Sequence, residues 1–280
     1  MNINTNMNAI FSNRIVGINN NEARKINEKL ATGLDINRAK DDASGLSISE
    51  KMRSQIRGLN QASKNTTDGV SFVQVAEGHL QTTTDILHRI RELAVQSSNG
   101  IFSADDRAMI AVEISQLVSE VDRIASQAQF NGMNILTGRF NTDNPMVLHV
   151  GANMDERVSV SIGDMSATAI GLRGPDGTMV DLSTADSANA TIGIVDEALT
   201  KVLKQRADLG GFQSRLEMAV NGTNIAAENM QAAESQIRDA DYAQLMVESV
   251  RNQILTQASV STLAQSNNTS GMVVQLLNSR

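Results

Sequence analysis

The sequence contains no cysteine among its 280 residues. Without a thiol the chain has no disulfide bond, no thiolate nucleophile and no cysteine-ligated metal. Tryptophan is also absent, tyrosine occurs once, and aromatic residues make up 2% of the chain. Because globular cores usually depend on aromatic bulk, this composition favours elongated helix packing over a rounded core.

Proline is nearly as scarce as cysteine. It occurs only at Pro145 and Pro175, both in the middle of the chain. Proline breaks a helix because it lacks the backbone N–H and its ring clashes with the preceding turn. The segments before residue 145 and after residue 175 are therefore free to form long helices.

Neither a basic block nor a long apolar run is present. The net charge is -7, and no stretch has the concentrated positive charge of a nucleic-acid interface, so nucleic acid is not a predicted partner. The opening residues, MNINTNMNAIFSNR, lack the basic and apolar regions of a secretory signal peptide. No apolar run approaches the ~20 residues of a membrane span. We expect no membrane insertion, and export, if it occurs, by a dedicated route.

Apolar residues are arranged instead in heptad-like series whose steps alternate between three and four residues, a pattern typical of paired helices. Four such series begin at Val73, Ile110, Ile192 and Phe212. The first consists of Val73, Ala76, Leu80, Thr83, Leu87, Ile90 and Ala94. At ~1.5 Å per residue it spans about 33 Å, and the series over 212–240 spans about 42 Å. Both lengths predict rods rather than short globular helices.

The middle of the chain has a different pattern. The segments MVLHVG (146–151) and RVSVSIG (157–163) alternate apolar and polar residues and predict paired strands. The segment GPDGTMVDL (174–182) predicts another turn with a short strand, and helical patterning resumes near Ser187. The predicted fold class is mainly α, with long antiparallel helical rods or a coiled coil from both termini and a small β-hairpin excursion in the middle.

Turn residues separate the predicted helices. Asn99–Gly100 is predicted to supply a left-handed turn, and Ser103 to cap the helix that follows. Asn221–Gly222 is read as a turn or helix-break signal. The pair Asp41–Asp42 fits a metal or acid–base site or a helix-start loop. The loop is favoured, because no histidine lies within twenty residues of the pair.

No motif indicates catalysis. The three histidines, His79, His88 and His149, are scattered, and no carboxylate spacing around them supports a metal site. No nucleophile–base pair or glycine-rich phosphate loop is present. We therefore predict that the protein is not an enzyme, with no catalytic residue, no metal and no cofactor.

Both ends of the chain carry apolar residues at helical spacing. Near the start they include Ile3, Met7, Ile10 and Phe11. Near the end they are Val247, Val250, Ile254 and Ala258, followed by the apolar residues of the closing TSGMVVQLLNSR. The two ends can pair, but a helix pair buries only one face of each helix. Phe11, Leu255 and Leu263 are expected to stay in water unless other chains cover them.

Several segments resemble bacterial flagellin, the subunit of the flagellar filament. They are INRAKDDASGLSISEKMRSQIRGLNQASKNTTDGVSFVQVAEG (36–78), RIRELAVQSSNG (89–100), EVDRIASQAQFNGMNILTG (120–138), QRADLGGFQSRLE (205–217), AAESQIRDADYAQLM (232–246) and ILTQASVSTLAQSN (254–267). The short middle resembles a flagellin without large outer domains. SSNGIFSADDR and HVGANMDERVSVSIGDM resemble the core flagellins of spirochaetes.

The resemblance implies a domain organisation and two sets of contact residues. Residues 1–42 plus 241–280 would form an inner-tube helical coiled-coil domain, 43–140 plus 185–240 an outer-tube rod domain, and 141–184 a hairpin excursion of that rod. The implied inner-tube contacts are Ile3, Met7, Ile10, Phe11, Val273, Leu276 and Leu277. The implied axial contact, which resembles the family's innate-receptor epitope, consists of Leu87, Arg89, Arg91, Glu92, Leu93 and Glu113. From the residues alone, this charged set would be a solvated helix face.

The implied function is a structural subunit that polymerises head-to-tail into the flagellar filament. A hook–filament junction protein with flagellin-like ends is the alternative, and the joint presence of IRELAVQ and RIASQAQFNGMNIL favours flagellin. The implied partners are further copies of the chain, an export chaperone, the type III export apparatus, the filament cap, hook-junction proteins and an innate immune receptor. The implied location is the flagellum, extracellular or, for a spirochaete-type filament, periplasmic.

Overall fold

A computed structural model describes residues 5–174 and 181–278, including their side chains except those of Ser270 and residues 273–278. In this part of the chain the elements follow in the order α1 (Met7–Thr32), α2 (Ala43–Ser97), α3 (Ala104–Gln127), β1 (Gln129–Phe130), β2 (Met133–Asn134), β3 (Met146–His149), β4 (Arg157–Val160), α4 (Ala167–Ile170), α5 (Ala185–Arg238) and α6 (Tyr242–Asn278). The predicted fold class is confirmed: long helices lie on both sides of a small antiparallel hairpin formed by β3 and β4. Most of the turn predicted at 174–182 lies outside the described residues.

Polar side chains define where two of the long helices begin. The Asp42 side chain accepts hydrogen bonds from the backbone N–H groups of Ser44 (2.9 Å) and Gly45 (3.0 Å) at the start of α2. The helix-start interpretation of Asp41–Asp42 is therefore confirmed. At α3, Ser103 and Asp106 form a reciprocal capping box, in which each side chain accepts a hydrogen bond from the other residue's backbone N–H.

Two turn predictions are wrong. Neither Asn99 nor Gly100 has a positive φ. The chain leaves α2 instead through right-handed turns, in which Asn99 N–H donates to the Gln96 carbonyl and Phe102 N–H to the Asn99 carbonyl. Asn221–Gly222 does not interrupt α5, which stays helical through this pair. The long flanking helical segments outweigh the local preference of one Asn-Gly pair.

The chain divides into two compact units. Unit 1 comprises Met1–Gln55 with Glu228–Arg280, and unit 2 comprises Ile56–Ala227. Helices α1 and α6 lie in unit 1, and α3, α4 and all four strands lie in unit 2.

Unit 2 encloses an extended apolar core formed by α2, α3 and α5. Side-chain contacts pair Ser63 with Asn224, Glu77 with Arg206 and Arg91 with Asp196, so α2 and α5 run antiparallel. Every member of the heptad series that begins at Val73 is buried. Phe72 adds edge-to-face contacts with Phe130 and Phe140, with ring centroids 5.6 and 5.7 Å away. Three of the five phenylalanines of this unit thus meet where the segments after α3 pack on α2.

Glycines in α2 allow the β3–β4 hairpin to lie close to the helix. A Cβ atom at Gly69 would stand 2.4 Å from the Leu148 side chain, and one at Gly58 would stand 2.8 Å from the Ala152 Cβ. Asn65 also donates to the His149 carbonyl at 3.4 Å. Larger residues at these two positions would push the hairpin away from the rod.

Side chains from two helices hold the segment after β4. The Gln205 amide accepts from Gly163 N–H (3.1 Å) and donates to the Ser161 carbonyl (3.3 Å), as a neighbouring strand would. The Asp122 carboxylate accepts from Ala167 N–H at 2.8 Å, at the start of α4. The Lys201 ammonium donates to the last carbonyls of the same short helix. The middle of the chain is therefore fastened to the helical rod by hydrogen bonds as well as by apolar packing.

In unit 1, α1 packs along α6. A short antiparallel bridge closes one end of the pair: Asp35 N–H donates to the Arg238 carbonyl at 2.7 Å, and Ala240 N–H donates to the Gly33 carbonyl at 3.0 Å. Gly33 has a φ of 71°, a left-handed conformation that favours glycine, at the end of α1. This bridge, which we call the clamp, fixes where α1 ends relative to the start of α6.

Candidate assembly surfaces

The paired faces of α1 and α6 consist mostly of small and polar side chains. On α6 the less exposed positions between Leu245 and Leu263 are Ser249, Asn252, Thr256 and Ser259. On α1 they are small or polar at Ala9, Ser12, Asn19 and Ala23, and apolar at Ile15, Val16 and Ile26. Two hydrogen bonds cross between the helices, from Asn19 Nδ2 to Ser259 Oγ (2.9 Å) and from Asn6 Nδ2 to the Ser266 carbonyl (3.0 Å). We call this contact the polar seam.

Most large apolar residues of the same helices point away from the polar seam, although Ile26 and Leu245 are buried. Met7 is 64% exposed, Phe11 56% and Ile254 61%. The other exposed members of this outward set are Ile10, Ile18, Met246, Val247, Val250, Leu255 and Val260. The two ends of the chain do pair, as the sequence predicts, but with their apolar stripes directed outward.

The predicted inner-tube residues therefore fall into two groups. Met7, Ile10 and Phe11 lie on the outward apolar face of α1. The Arg14 guanidinium stands 5.2 Å from the centre of the Phe11 ring, so part of this ring is covered by a cation while the rest faces water. Ile3 lies outside the described residues, as do the side chains of Val273, Leu276 and Leu277.

Charged side chains support the clamp in unit 1. The Arg238 guanidinium, which is largely buried, donates to the Glu50 carboxylate. This hydrogen bond is the main reason that the pKa of Glu50 lies below its ordinary value, and the nearby charge of Arg53 acts in the same direction. Lys29 also contacts Asp35, next to the bridging backbone. The clamp thus combines backbone hydrogen bonds with the Glu50 carboxylate, which stays ionised to a lower pH than an ordinary glutamate, because its pKa is lowered.

The predicted axial surface in unit 2 is a network of exposed ion pairs. Arg89 donates to Glu113 on α3 at 2.9 Å and to Glu92 at 3.3 Å, and Arg91 donates to Asp196 on α5 at 2.7 Å. Hydrogen bonding and the charge of Glu113, followed by Glu92, raise the pKa of Arg89. Asp196 raises the pKa of Arg91 in the same way. Arg89 therefore links α2 to α3, and Arg91 links α2 to α5.

The two leucines predicted for this surface lie beneath it. Leu87 and Leu93 are buried in the apolar core of unit 2. In the described chain they hold α2 against its neighbours, and the charged residues provide the accessible atoms. Leu87 and Leu93 therefore position this surface rather than form its outer layer.

Sequence reasoning missed an apolar set in the same region of unit 2. Four residues of α2, the following turn and α3 are exposed: Val95, Ile101, Met109 and Val112. Met109 and Val112 are three residues apart on α3. Met109 directly precedes Ile110, the first residue of the heptad series on this helix. This offset stripe is the signal that could have identified them.

Neither a metal-binding cluster nor a membrane-spanning helix is found among the residues that the structure describes. No group of three or more histidine, aspartate or glutamate side chains there is arranged to hold a metal ion. No described helix is long and apolar enough to cross a membrane.

Both helical parts of the chain match a known protein family. The bacterial flagellin N-terminal helical region matches residues 3–141, and the bacterial flagellin C-terminal helical region matches residues 192–277. A 31.3 kDa flagellar filament core protein of Treponema maltophilum is 60% identical and aligns over 98% of this chain and 99% of its own length. Flagellin of Bacillus subtilis (strain 168) is 44% identical over 99% of this chain and 100% of its own length. The crystal structure of Bacillus cereus flagellin, 28% identical, covers 59% of this chain and 94% of that chain with a TM-score of 0.49. The chain belongs to the bacterial flagellin family.

Proposed function

We propose that this chain is the repeating structural subunit of a bacterial flagellar filament, assembled head-to-tail from identical copies. The observation that carries the proposal is the outward apolar face of α1 and α6. These helices pair through small and polar residues and leave Phe11, Val250 and Ile254 in water. An exposed apolar surface of this kind marks a site that another molecule covers.

The proposed occupant of this face is a second copy of the chain. Relatives that align with nearly the whole chain carry the names flagellar filament core protein and flagellin. A surface that contacts a different surface on the next copy generates an open helical array rather than a closed dimer. Unit 1 would then supply the apolar contacts that keep copies together, including those of Ile3, Val273, Leu276 and Leu277, which stay predictions.

The domain organisation belongs to the same proposal. We place residues 1–42 plus 241–280 in an inner tube and residues 43–140 plus 185–240 in an outer tube, with 141–184 as the hairpin excursion. The polar packing of α1 on α6 supports an inner position, because the apolar faces of both helices remain free for neighbours on several sides. The buried core of unit 2 supports a rod that is complete in itself.

For unit 2 we propose an axial contact through the exposed charges of Arg89, Arg91, Glu92 and Glu113. The apolar set of Val95, Ile101, Met109 and Val112 would add burial to a contact that charges alone make weakly. The same accessible charges are the part of the chain that an innate immune receptor would contact.

The remaining proposed partners follow from assembly outside the cytoplasm. We propose an export chaperone and the type III export apparatus before assembly, and cap and hook-junction proteins at the ends of the filament. The proposed location is the flagellum. A periplasmic flagellum is favoured because spirochaete filament core proteins are 54–60% identical to this chain.

Electron microscopy of the purified chain, seeded or salted out, tests the proposal. The informative variant is V250S/I254S, which removes two outward apolar side chains of α6. The matched control is Q253S/Q257S, which changes two exposed polar residues on the same helix. We expect filaments from the natural chain and the control, and none from V250S/I254S or from a chain that ends at Gln265, at the same concentration.

Two results would contradict this reading. Filaments from V250S/I254S as abundant as those from the control would remove the outward face from the assembly contact. A natural chain that stays monomeric and binds only to the ends of existing filaments would favour the hook–filament junction protein.

A further inference from the structure

The pairing of α1 with α6 presents a choice between two faces of each helix. On α6, Val250 and Ile254 precede Asn252 and Thr256 by two residues each. At ~100° per residue, two residues correspond to about 200° of rotation, so the apolar and polar stripes lie on nearly opposite sides. The same offset separates Ile10 from Ser12 on α1. Each helix therefore has one apolar and one polar face with which it could meet its partner.

The clamp leaves this choice open. Backbone hydrogen bonds at Gly33 and Asp35 fix how far α6 lies along α1. They are made by Gly33, Asp35, Arg238 and Ala240, which lie at the ends of the helices or beyond them rather than along the paired faces of α1 and α6. Burial of apolar area alone would turn Ile254 inward against Ile18, which lies at the same level of α1. The structure instead leaves Ile18 49% and Ile254 61% exposed, which indicates that directional contacts contribute to the choice of face.

Those directional contacts lie in the polar seam. Asn19 reaches across to Ser259, and Asn6 to the Ser266 carbonyl. Ser12 and Asn252 are 7% and 8% exposed, and Asn19 and Ser259 are half-buried, so the seam is partly shielded from water. Turning either helix by half a rotation would break both cross-helix hydrogen bonds at once. A polar residue at a single buried position of a coiled coil is known to specify the geometry of pairing at a cost in stability.

We infer that Asn19 and Ser259, aided by Asn6 and Asn252, are specificity-determining residues that select the polar faces for pairing within the chain. This selection keeps the apolar faces of α1 and α6 available to other copies. The inference rests on the proposed function for its consequence in assembly. The pairing itself is testable in the isolated chain.

A charge-swap series tests the selection in filaments. N19D/S259D puts two like charges where the hydrogen bond lies, and N19K/S259D puts opposite charges at the same two positions. Both variants leave the outward apolar residues unchanged. We expect N19D/S259D to raise the critical concentration for filament formation by about tenfold or more, because a like-charge pair opposes the seam. N19K/S259D is expected to restore assembly.

A thiol probe tests the selection before assembly. The chain has no natural cysteine, so V250C would carry its only thiol. We expect this thiol to react with a maleimide about as fast as one at the exposed control position Gln253, because Val250 lies on the free face. With N19A/S259A, we expect slower labelling of V250C but not of Q253C, as the apolar faces turn toward each other.

Each outcome decides the inference. Normal assembly of N19D/S259D, or failure of N19K/S259D to restore it, would overturn the selecting role of this pair. Unchanged labelling of V250C in the N19A/S259A background would do the same. A natural chain that forms no filaments would instead contradict the proposed function, and the labelling experiment would still test the pairing.

Discussion

In unit 2 the helices enclose Phe72, Leu80 and Val121, whereas in unit 1 Phe11, Val250 and Ile254 point into water. Both units are built from long helices with similar residue types. They differ in which face the paired helices turn toward each other. Unit 2 uses its apolar residues for its own core, and unit 1 holds its helices together with asparagine and serine. A single chain can therefore combine a unit with a continuous apolar core and a unit whose large apolar residues are mostly exposed.

The largest expected effect separates the two units by stability. Phe72→Ala should lower the free energy of unfolding by about 3–5 kcal/mol, because it empties the site between Phe130 and Phe140. Val250→Ser should change it by less than about 0.5 kcal/mol, because Val250 is exposed in the single chain. Urea unfolding of the monomeric chain, followed by circular dichroism, measures both. A large loss from Val250→Ser would mean that unit 1 also depends on an intrachain apolar core.

A glycine in α2 tests how closely the β3–β4 hairpin packs against the helix in unit 2. Gly58→Ala should cost about 1–3 kcal/mol, because the added methyl group would stand 2.8 Å from the Ala152 Cβ, which cannot rotate away. Gly211→Ala, on the open side of α5, should instead stabilise by about 0.5–1 kcal/mol. Thermal unfolding of the two variants gives the comparison.

Rescue provides the control for this glycine. Adding Ala152→Gly to Gly58→Ala removes the atom that the new methyl group would meet. The double variant should recover most of the lost unfolding temperature. If it does not recover, the cost of Gly58→Ala arises elsewhere than in contact with the hairpin.

A smaller effect is expected at the start of α3. Ser103→Ala removes the side-chain oxygen that accepts from Asp106 N–H, and should cost about 1 kcal/mol. Ser98→Ala is a suitable control, because the Ser98 hydroxyl donates to the Val95 carbonyl and caps no helix start. Amide hydrogen exchange should accelerate in the first turn of α3 for Ser103→Ala alone. Equal exchange in both variants would contradict a capping role.

The smallest effect concerns the clamp of unit 1 and its pH dependence. Arg238 holds the pKa of Glu50 below its ordinary value, so Glu50 contributes stability at pH values above its unfolded pKa of about 4.3. This contribution is lost as the pH falls through the lower folded pKa. Glu50→Gln should therefore flatten the fall in stability below pH ~4.5. Unfolding midpoints that fall in parallel for both chains would show that Glu50 has no part in it.

The spacing of apolar residues predicted most of the buried helical positions of unit 2, but it did not predict the polar seam of unit 1. The buried series from Val73 to Ala94 follows its heptad in every position. In α5 the heptad series that begins at Phe212 predicts that Ala226 is buried. The structure has Ala226 exposed and the next residue, Ala227, buried. A straight helix drifts by ~20° per heptad relative to a strict seven-residue repeat, so a register chosen near one end is lost farther along.

The outward face of α1 and α6 marks the limit of the pattern. The spacing of Val247, Val250 and Ile254 identifies an apolar stripe, but a stripe does not say whether the same chain or another chain covers it. The polar seam was missed for a related reason: serine and asparagine at heptad spacing resemble an ordinary solvated face. Among the residues predicted for the axial contact, the sequence pattern correctly placed Arg89 on the surface. It did not predict that Leu93 is buried, because that depends on how the neighbouring helices pack on α2.

Asn6 links α1 to a part of α6 that is synthesised much later. Its side chain caps α1 and also donates to the Ser266 carbonyl, 260 residues later in the sequence. At ~5–20 residues per second, a ribosome would add Ser266 about 13 to 50 s after Asn6. Throughout that interval the seam side of α1 has no partner. Ser12, Asn19 and Ala23 on that side are small or polar, so they can stay in contact with water during that time.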